Sequence, residues 1–232
     1  NDADLGLSVY IFGDDYELTD LSEGYFDVYD CEDQEVPSYW VYSLETELDA
    51  SDGAGDLCIN PNQTDYYVSV DGNDNFDGTE DFPLLTIEKA LSIINPDEFS
   101  PVTIHLSVGT FAPSTTGEDF PVIMISNVNL IGQGEEVTII DAEQTDKVIT
   151  MENCENNIIS DLTITGGFSD GVDYIDKNGG GMYILGSSLT LTHVTISDNL
   201  ADSEGGGMYL SDSNPTLIGV TFSGNTVNYP NG

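Results

Sequence analysis

Oxygen-bearing side chains recur at every second residue in one glycine-containing loop of the chain. A loop of this kind can wrap around a hard cation, and Ca²⁺ prefers six to eight oxygen ligands. The same spacing is also typical of Asx turns, in which side chains accept hydrogen bonds from the neighbouring backbone. The pattern therefore predicts either a Ca²⁺ site or an Asx-rich turn, formed by Asp71, Asn73, Asn75 and Asp77.

A second group of carboxylates lies in and beside an insertion between two repeats. Like charges in neighbouring coils, about 5 Å apart, repel each other. Either a cation lies between them or they point into water, and both readings stay open. The candidate metal ligands of this group are Asp170, Asp173, Asp176, Asp198 and Asp202.

The charge balance excludes several classes of partner. The chain has 232 residues, with 43 Asp and Glu against 3 Lys and Arg, and a formal net charge of −40. Binding to nucleic-acid phosphates needs Lys and Arg, so we expect no nucleic-acid partner. Anionic membranes and polyuronates are repelled for the same reason unless a divalent cation bridges them. The apolar fraction of 39% is sufficient for a core. The sequence contains no run of 18 apolar residues, so no membrane-spanning helix is predicted.

Two of the three cysteines lie in the same N-terminal segment. A disulfide between Cys31 and Cys58 would close a loop of about 28 residues and contribute roughly 3 kcal/mol; two reduced thiols are the alternative. Cys154 is expected to be a buried small apolar residue. The segment 1–64 contains half of the tyrosines and the only Trp, and it is interpreted as a small β-rich extension of a second region, 65–232.

One helix is predicted just before a repeat array. Thr86 is a suitable N-cap, the apolar residues from Ile87 to Ile94 follow a helical spacing, and Pro96 stops the helix. A single apolar stripe on such a helix is suited to capping a solenoid. From about residue 100 the chain repeats, and a Gly-Gly-Gly-Met-Tyr run at 179–183 recurs at 205–209, a period of 26.

Each repeat alternates apolar and polar residues and then slips by one position at a fixed point. Two strands separated by a corner produce this pattern, so the array is predicted to be a β-solenoid of about five coils. The predicted inward stacks are Val137, Leu162, Val194, Val220 and Ile139, Ile164, Ile196, Phe222. The predicted outward rows are Thr138, Thr163, Thr195, Thr221 and Ile140, Thr165, Ser197, Ser223.

Two sets of motifs resemble known families. The run Tyr67–Asp74, with Gly78-Thr79 and Thr86–Leu91, resembles the entry segment of secreted pectate-lyase-like parallel β-helix proteins. The Gly-Gly-Gly-Met units, together with Ile196–Asn199 and Phe222–Asn225, resemble repeats of polymorphic outer-membrane adhesins. The resemblance covers about residues 65–232. It implies an all-β, right-handed parallel β-helix with an N-terminal capping helix, and an extracellular or cell-surface location.

Three functional classes remain. The resemblance implies polysaccharide-cleaving relatives that use Arg, Lys or His with acids, whereas this chain has no Arg, scattered Lys residues and two isolated His residues. The main expectation is therefore a secreted, non-enzymatic structural or adhesive protein, with Ca²⁺ as a stabilising ion and cell-surface glycans among the partners. A polysaccharide-active enzyme and an ice-binding solenoid with Thr rows are the alternatives.

Self-assembly is also predicted. The last recognisable strand is followed by no segment that resembles a cap, and an uncovered solenoid edge is prone to pairing. The chain is then either part of a longer β-helix or is covered by another copy, whose N-terminal strand adds to the edge and generates a head-to-tail filament. The residues assigned to this contact are Leu5, Leu7, Val9, Ile11, Leu217, Val220 and Phe222.

Overall fold

The computed structural model describes residues 24–26, 39–41, 63–170 and 177–228. The chain divides into two units, Asn1–Asn62 and Gln63–Gly232. In the first unit β1 (Gly24–Phe26) pairs antiparallel with β2 (Tyr39–Val41). The predicted disulfide between Cys31 and Cys58 and the predicted assembly strand with Leu5, Leu7, Val9 and Ile11 lie outside the described residues, so both stay predictions.

The described part of the second unit consists of short strands and one helix. In chain order the elements are β3 (Asp65–Val68), α1 (Ile87–Ile93), β4 (Val102–Leu106), β5 (Gly109–Phe111), β6 (Val122–Met124), β7 (Val128–Ile131), β8 (Thr138–Asp141), β9 (Ile149–Glu152), β10 (Asn157–Thr165), β11 (Phe168–Ser169), β12 (Met182–Leu185), β13 (Leu189–Ser197), β14 (Leu200–Ala201), β15 (Met208–Ser211), β16 (Thr216–Ile218), β17 (Thr221–Ser223) and β18 (Thr226–Val227).

Equivalent strands of successive turns stack in parallel. The first sheet has the order β3-β4-β7-β10-β13-β16, to which β10 and β13 contribute their N-terminal halves. Beyond a corner, the second sheet has the order β5-β8-β10-β13-β17 and contains the C-terminal halves of β10 and β13. The third sheet has the order β6-β9-β12-β15, and a further, short-stranded sheet has the order β11-β14-β18. The chain completes four turns and begins a fifth at β16. The predicted all-β, right-handed parallel β-helix is confirmed.

The corner between the first two sheets lies where the sequence pattern slips. Strands β10 and β13 continue through Asp161 and His193, which have φ values of 57° and 49°. Among residues other than glycine, Asp, Asn and His are the most tolerant of this left-handed conformation. Beyond the corner, Leu162 pairs with Val194 and Ile164 with Ile196, as predicted, and all four are fully buried.

The predicted register of the preceding coil is wrong by one residue. Ile140, not Ile139, pairs with Ile164, so Thr138 and Ile140 point inward and are fully buried. Val137 is 44% exposed. A shift of one residue moves every side chain of a strand to the opposite face. The buried Thr138 hydroxyl donates to the Ser107 carbonyl (3.0 Å) and accepts from the Gln133 N–H (3.0 Å), so a polar residue is tolerated at this core position.

The repeated glycine and asparagine residues have structural causes. A Cβ on Gly180 would collide with the Leu200 carbonyl and one on Gly206 with the Thr226 carbonyl, so glycine permits a close approach of successive turns. Asn199 is fully buried, and its side chain bonds to the Gly167 N–H (2.8 Å), the Ile164 carbonyl (3.1 Å) and the Asn225 carboxamide (3.0 Å). These motifs therefore hold neighbouring coils together.

The N-terminal end of the β-helix is closed by α1 and the loop before it. Thr86 caps α1 as predicted, and its hydroxyl accepts from the Lys89 N–H (3.1 Å). Asp74 accepts from the Leu85 and Thr86 N–H groups (2.8 and 3.0 Å), and Glu118 accepts from the Ile87 and Glu88 N–H groups (2.8 and 2.9 Å). Within the described ranges no helix has the length and apolar character needed to cross a bilayer.

Candidate functional site

The first predicted Ca²⁺ loop is organised by Asx turns. Asn73 Oδ1 accepts from the Asn75 backbone and side-chain nitrogens (both 3.0 Å), and Asp77 Oδ1 accepts from the Thr79 N–H (3.0 Å) and hydroxyl (2.9 Å). Asp71 lies exposed at the start of the loop. The central carboxylate, Asp74, instead caps the approach to α1. In the described ranges no three His, Cys, Asp or Glu residues form a group able to hold a metal ion.

The second predicted set is only partly described. Asp173 and Asp176 lie outside the described residues. Asp170 follows Ser169, which pairs with Ala201, so Asp170 and Asp202 follow paired strands in adjacent coils. Asp198 lies at a different corner, with a φ of 55°, and its carboxylate packs over Gly224. Ca²⁺ binding by either set stays a prediction.

The two histidines are not isolated, contrary to the sequence interpretation. His105 Nε2 lies 2.8 Å from Asp65 Oδ1, and His193 Nδ1 lies 3.4 Å from Asp161 Oδ1. In both pairs the carboxylate belongs to the rung before the histidine. The hydrogen bond from His105 lowers the pKa of Asp65. Sequence spacing did not show these contacts because each joins residues more than 30 positions apart.

Cys154 is buried, as predicted. Its thiol donates to the Met124 carbonyl (3.2 Å), and burial raises the thiol pKa. A thiol that stays protonated is a poor nucleophile. The position is therefore explained by packing.

The predicted Thr rows do not form a free hydroxyl lattice. Thr138 and Ile140, assigned outward, are buried. The Thr163 hydroxyl donates to the Glu135 carbonyl (2.6 Å), and the Thr195 hydroxyl bonds to the Glu135 carboxylate (3.1 Å). The loop that carries Glu135 thus lies over the outer face of the second sheet. This obstruction removes the regular array on which the ice-binding alternative depended.

The outer face of the third sheet is also partly covered. Tyr183 and Tyr209 stack with ring centroids 5.5 Å apart, and Lys147 Nζ lies 5.9 Å from the Tyr183 ring centre. Tyr183 is only 3% exposed and Lys147 only 8%. Desolvation is the main cause that raises the Tyr183 pKa, with Glu152 and Tyr209 adding to it. Little of the Tyr183 ring is therefore available to a ligand, whereas Tyr209 is part-exposed.

The outer face of the first sheet is the longest and most accessible. We call it the long face; it extends over six strands, or about 24 Å at the usual strand spacing. All its members except Ser160 are exposed or part-exposed, and its only carboxylate is Asp65. Its outward residues are Asp65, Thr103, Asn129, Ile158, Thr190, Thr216 and Tyr67, His105, Ile131, Ser160, Thr192, Ile218.

Sequence reasoning missed the first rungs of the long face. The later rungs follow the repeat, and Thr103 pairs with Asn129 one period on. Asp65, however, pairs with Thr103 across a much longer connection that contains the loop and α1. The alternation within Asp65–Val68 and Val102–Leu106 indicates two strands, but their pairing has no sequence signal.

The C-terminal residues predicted for assembly lie in the last described rung. Leu217 is 45% and Phe222 47% exposed, and Val220 is part-buried against the core. Their counterparts one rung earlier, Leu191, Val194 and Ile196, are fully buried because a following coil covers them. The exposure therefore reflects their place in the stack, and assembly stays a prediction.

Comparison with solved structures finds pectin methylesterases. One, in complex with a hexasaccharide, and another, PemA from Erwinia chrysanthemi, each superpose with a TM-score of 0.47 at 14% identity, over 68% of this chain and 49% of theirs. A third superposes with a TM-score of 0.36. This chain therefore spans about half the length of these enzymes, and the likeness at this level concerns the fold alone. No curated protein sequence matches the chain.

A family model matches most of the β-helix. It is described as a protein of unknown function, DUF1565, and the match covers residues 70–229, which is more than half of the chain. The match includes the loop, the capping helix and all four complete turns. The chain belongs to the DUF1565 family.

Proposed function

We propose that this protein is a secreted β-helix that binds a neutral polysaccharide along the long face without cleaving it. The observation that carries the proposal is the long face itself: six rungs of accessible hydroxyl, amide, aromatic and aliphatic groups with one carboxylate. Hydroxyl and amide groups can exchange hydrogen bonds with sugar hydroxyls, and aliphatic and aromatic groups can pack against the apolar faces of sugar rings.

Length and access distinguish the long face from the other outer faces. The second sheet is obstructed by the contacts of Glu135 with Thr163 and Thr195, and the Tyr183 ring on the third is almost fully buried. A straight run of about 24 Å suits an extended polymer better than a small ligand, which normally requires a concave pocket.

The charge of the protein favours a neutral polymer. With a net charge of −40, a polyuronate chain is repelled, and salt screens this repulsion only in part. The one carboxylate of the long face, Asp65, accepts a hydrogen bond from His105, and its negative charge adds to the repulsion of an acidic polymer.

The absence of cleavage is the remaining part of the proposal. Glycoside hydrolysis normally needs two carboxyl groups on opposite sides of the bond. The long face supplies one, and that one is held by a histidine. The carboxyl with a pKa raised to about 7 is Glu118, which is buried and bonded to the N–H groups of Ile87 and Glu88 rather than presented to a ligand.

Pectin provides a matched test, because its methyl-esterified and de-esterified forms share a backbone and differ in charge. We expect affinity electrophoresis at 0.15 M NaCl to show retardation by highly esterified pectin or by a neutral glucan, xylan or mannan, and none by polygalacturonate. Failure to bind any neutral polymer would overturn the proposal. Release of methanol or of new reducing ends by the wild-type chain would show that it is an enzyme.

A further inference from the structure

The long face is not uniform along its length. At the β3–β4 end, Tyr67 and His105 stack with ring centroids 4.8 Å apart and planes at 21°. This separation is within the range of offset stacking, in which two rings overlap only in part. In the rungs from Ile131 to Ile218 the face contains amide, hydroxyl and aliphatic residues and no ring. The aromatic pair is therefore a local feature of one end.

Asp65 holds the His105 ring in one orientation. Its Oδ1 lies 2.8 Å from His105 Nε2, and its Oδ2 accepts from the Thr64 hydroxyl at 3.1 Å. A carboxylate oxygen only accepts hydrogen bonds, so Nε2 carries the proton. In the neutral ring Nδ1 is then an acceptor. The His105 side chain is 34% exposed, which leaves the ring accessible from solvent.

The polar side chains beside the Tyr67–His105 pair form hydrogen bonds with neighbouring protein groups. Asn129 Nδ2 donates to the Thr103 hydroxyl (3.3 Å), and Asn129 Oδ1 accepts from the Ile158 N–H (3.1 Å). The Asn129 carboxamide therefore braces the rungs. The groups left to meet a ligand at this end include the two rings and the His105 Nδ1 acceptor.

We propose that Tyr67 and His105 are the principal sugar-contacting residues of the long face and that Asp65 is the positioning residue that orients His105. One sugar ring packs its C–H face against the aromatic pair, and one of its hydroxyls donates to His105 Nδ1. The occupant is a neutral glycan chain, because a neutral His105 leaves the negative charge of Asp65 in place, and this charge adds to the net charge of −40 in repelling an acidic polymer. This inference rests on the proposed function.

Single substitutions of the two ring residues, compared with substitutions outside the long face, test the inference. Using the neutral polymer that binds the wild-type chain, we expect Tyr67→Ala and His105→Ala each to raise Kd about tenfold or more, and Tyr67→Phe to change it less than threefold. Tyr209→Ala and Ile123→Ala, at part-exposed and exposed positions outside the long face, are the matched controls and should change Kd less than twofold. Thermal melts of each variant show whether it is folded; Tyr67→Leu, which keeps an apolar side chain without a ring, and His105→Gln serve if either Ala variant is not.

Asp65 is tested by a spectroscopic signature. In ¹⁵N-resolved spectra of the wild-type chain at neutral pH, His105 should show the tautomer with the proton on Nε2, and Asp65→Asn should mix the two tautomers and weaken binding several-fold. A merely structural Asp65 would leave the tautomer unchanged. If the wild type binds but the ring variants bind equally well, the inference is wrong and the proposed function stands. If the wild type binds no neutral polymer, the proposed function itself is wrong.

Discussion

Replacing Asn199 by alanine tests how neighbouring coils are held together. The side chain is fully buried and makes three hydrogen bonds, to the Gly167 N–H, the Ile164 carbonyl and the Asn225 carboxamide. Alanine cannot replace any of them, and it leaves the Gly167 N–H and Ile164 carbonyl without this partner. At about 1 kcal/mol for each lost bond, the expected destabilisation is about 3 kcal/mol.

Asn225→Ala is the matched control. Asn225 occupies the equivalent position one coil later; its side chain donates to the Ile196 carbonyl (2.8 Å) and accepts from the Asn199 backbone and side-chain nitrogens. It lies in the last described rung and is part-exposed, so water can replace the lost partners. We expect a loss of about 1 kcal/mol from this variant.

Urea and thermal unfolding of the 232-residue chain, followed by far-UV circular dichroism, measure both variants. A chain of this length loses about 2–4 °C of Tm for each kcal/mol of destabilisation. Asn199→Ala should therefore lower Tm by roughly 6–12 °C and Asn225→Ala by about 2–4 °C. Equal shifts for the two variants would refute the reasoning, because burial is the property in which the two asparagines differ.

Three further predictions concern pH, cations and assembly. Burial raises the pKa of Glu118 to about 7 from an ordinary value of 4.5, so the contribution of this carboxyl to stability is full below about pH 4.5 and is lost as pH rises through 7. Glu118→Gln should therefore remove about 3 kcal/mol of the difference in unfolding free energy between pH 4.5 and pH 8. An unchanged difference in this variant counts against the raised pKa. If Ca²⁺ binds at Asp71–Asp77 or beside Asp170, millimolar Ca²⁺ should raise Tm and chelator should reverse the rise, whereas identical melts with and without chelator contradict a stabilising cation. Deleting residues 1–12 should abolish any self-association seen by light scattering, and a truncated chain that still polymerises excludes the donor-strand contact.

The periodic part of the fold follows directly from the sequence. Alternation of apolar residues with a one-residue slip predicted two strands and a corner, and the structure has that corner at Asp161 and His193. The pairing of Leu162 with Val194 could be predicted from the sequence because both rungs repeat with the same internal spacing. The helix at Ile87–Ile93 was readable from its N-cap and apolar stripe, which are local signals.

The predicted strand register was wrong where the local pattern of apolar residues was ambiguous. The run Val137-Thr138-Ile139-Ile140 offers an apolar residue to either face, and only pairing with the neighbouring coils selects Ile140 as the inward residue. The hydroxyl of Thr138 can be buried because the Ser107 carbonyl and the Gln133 N–H lie within hydrogen-bonding distance. No sequence pattern states that those two partners will be present.

The candidate site also has features that follow from the sequence and features that only the tertiary structure shows. The sequence by itself determined a solenoid with a strongly acidic charge, because composition and periodicity are sums over local choices; the repulsion of anionic partners stays a prediction from that charge. Tertiary structure alone decided that Tyr67, His105 and Asp65 meet, that Glu135 covers the Thr rows, and that the outer face of the first sheet stays accessible. These contacts join residues up to 60 positions apart in the chain, and what brings them together is the stacking of whole coils, which no single segment encodes.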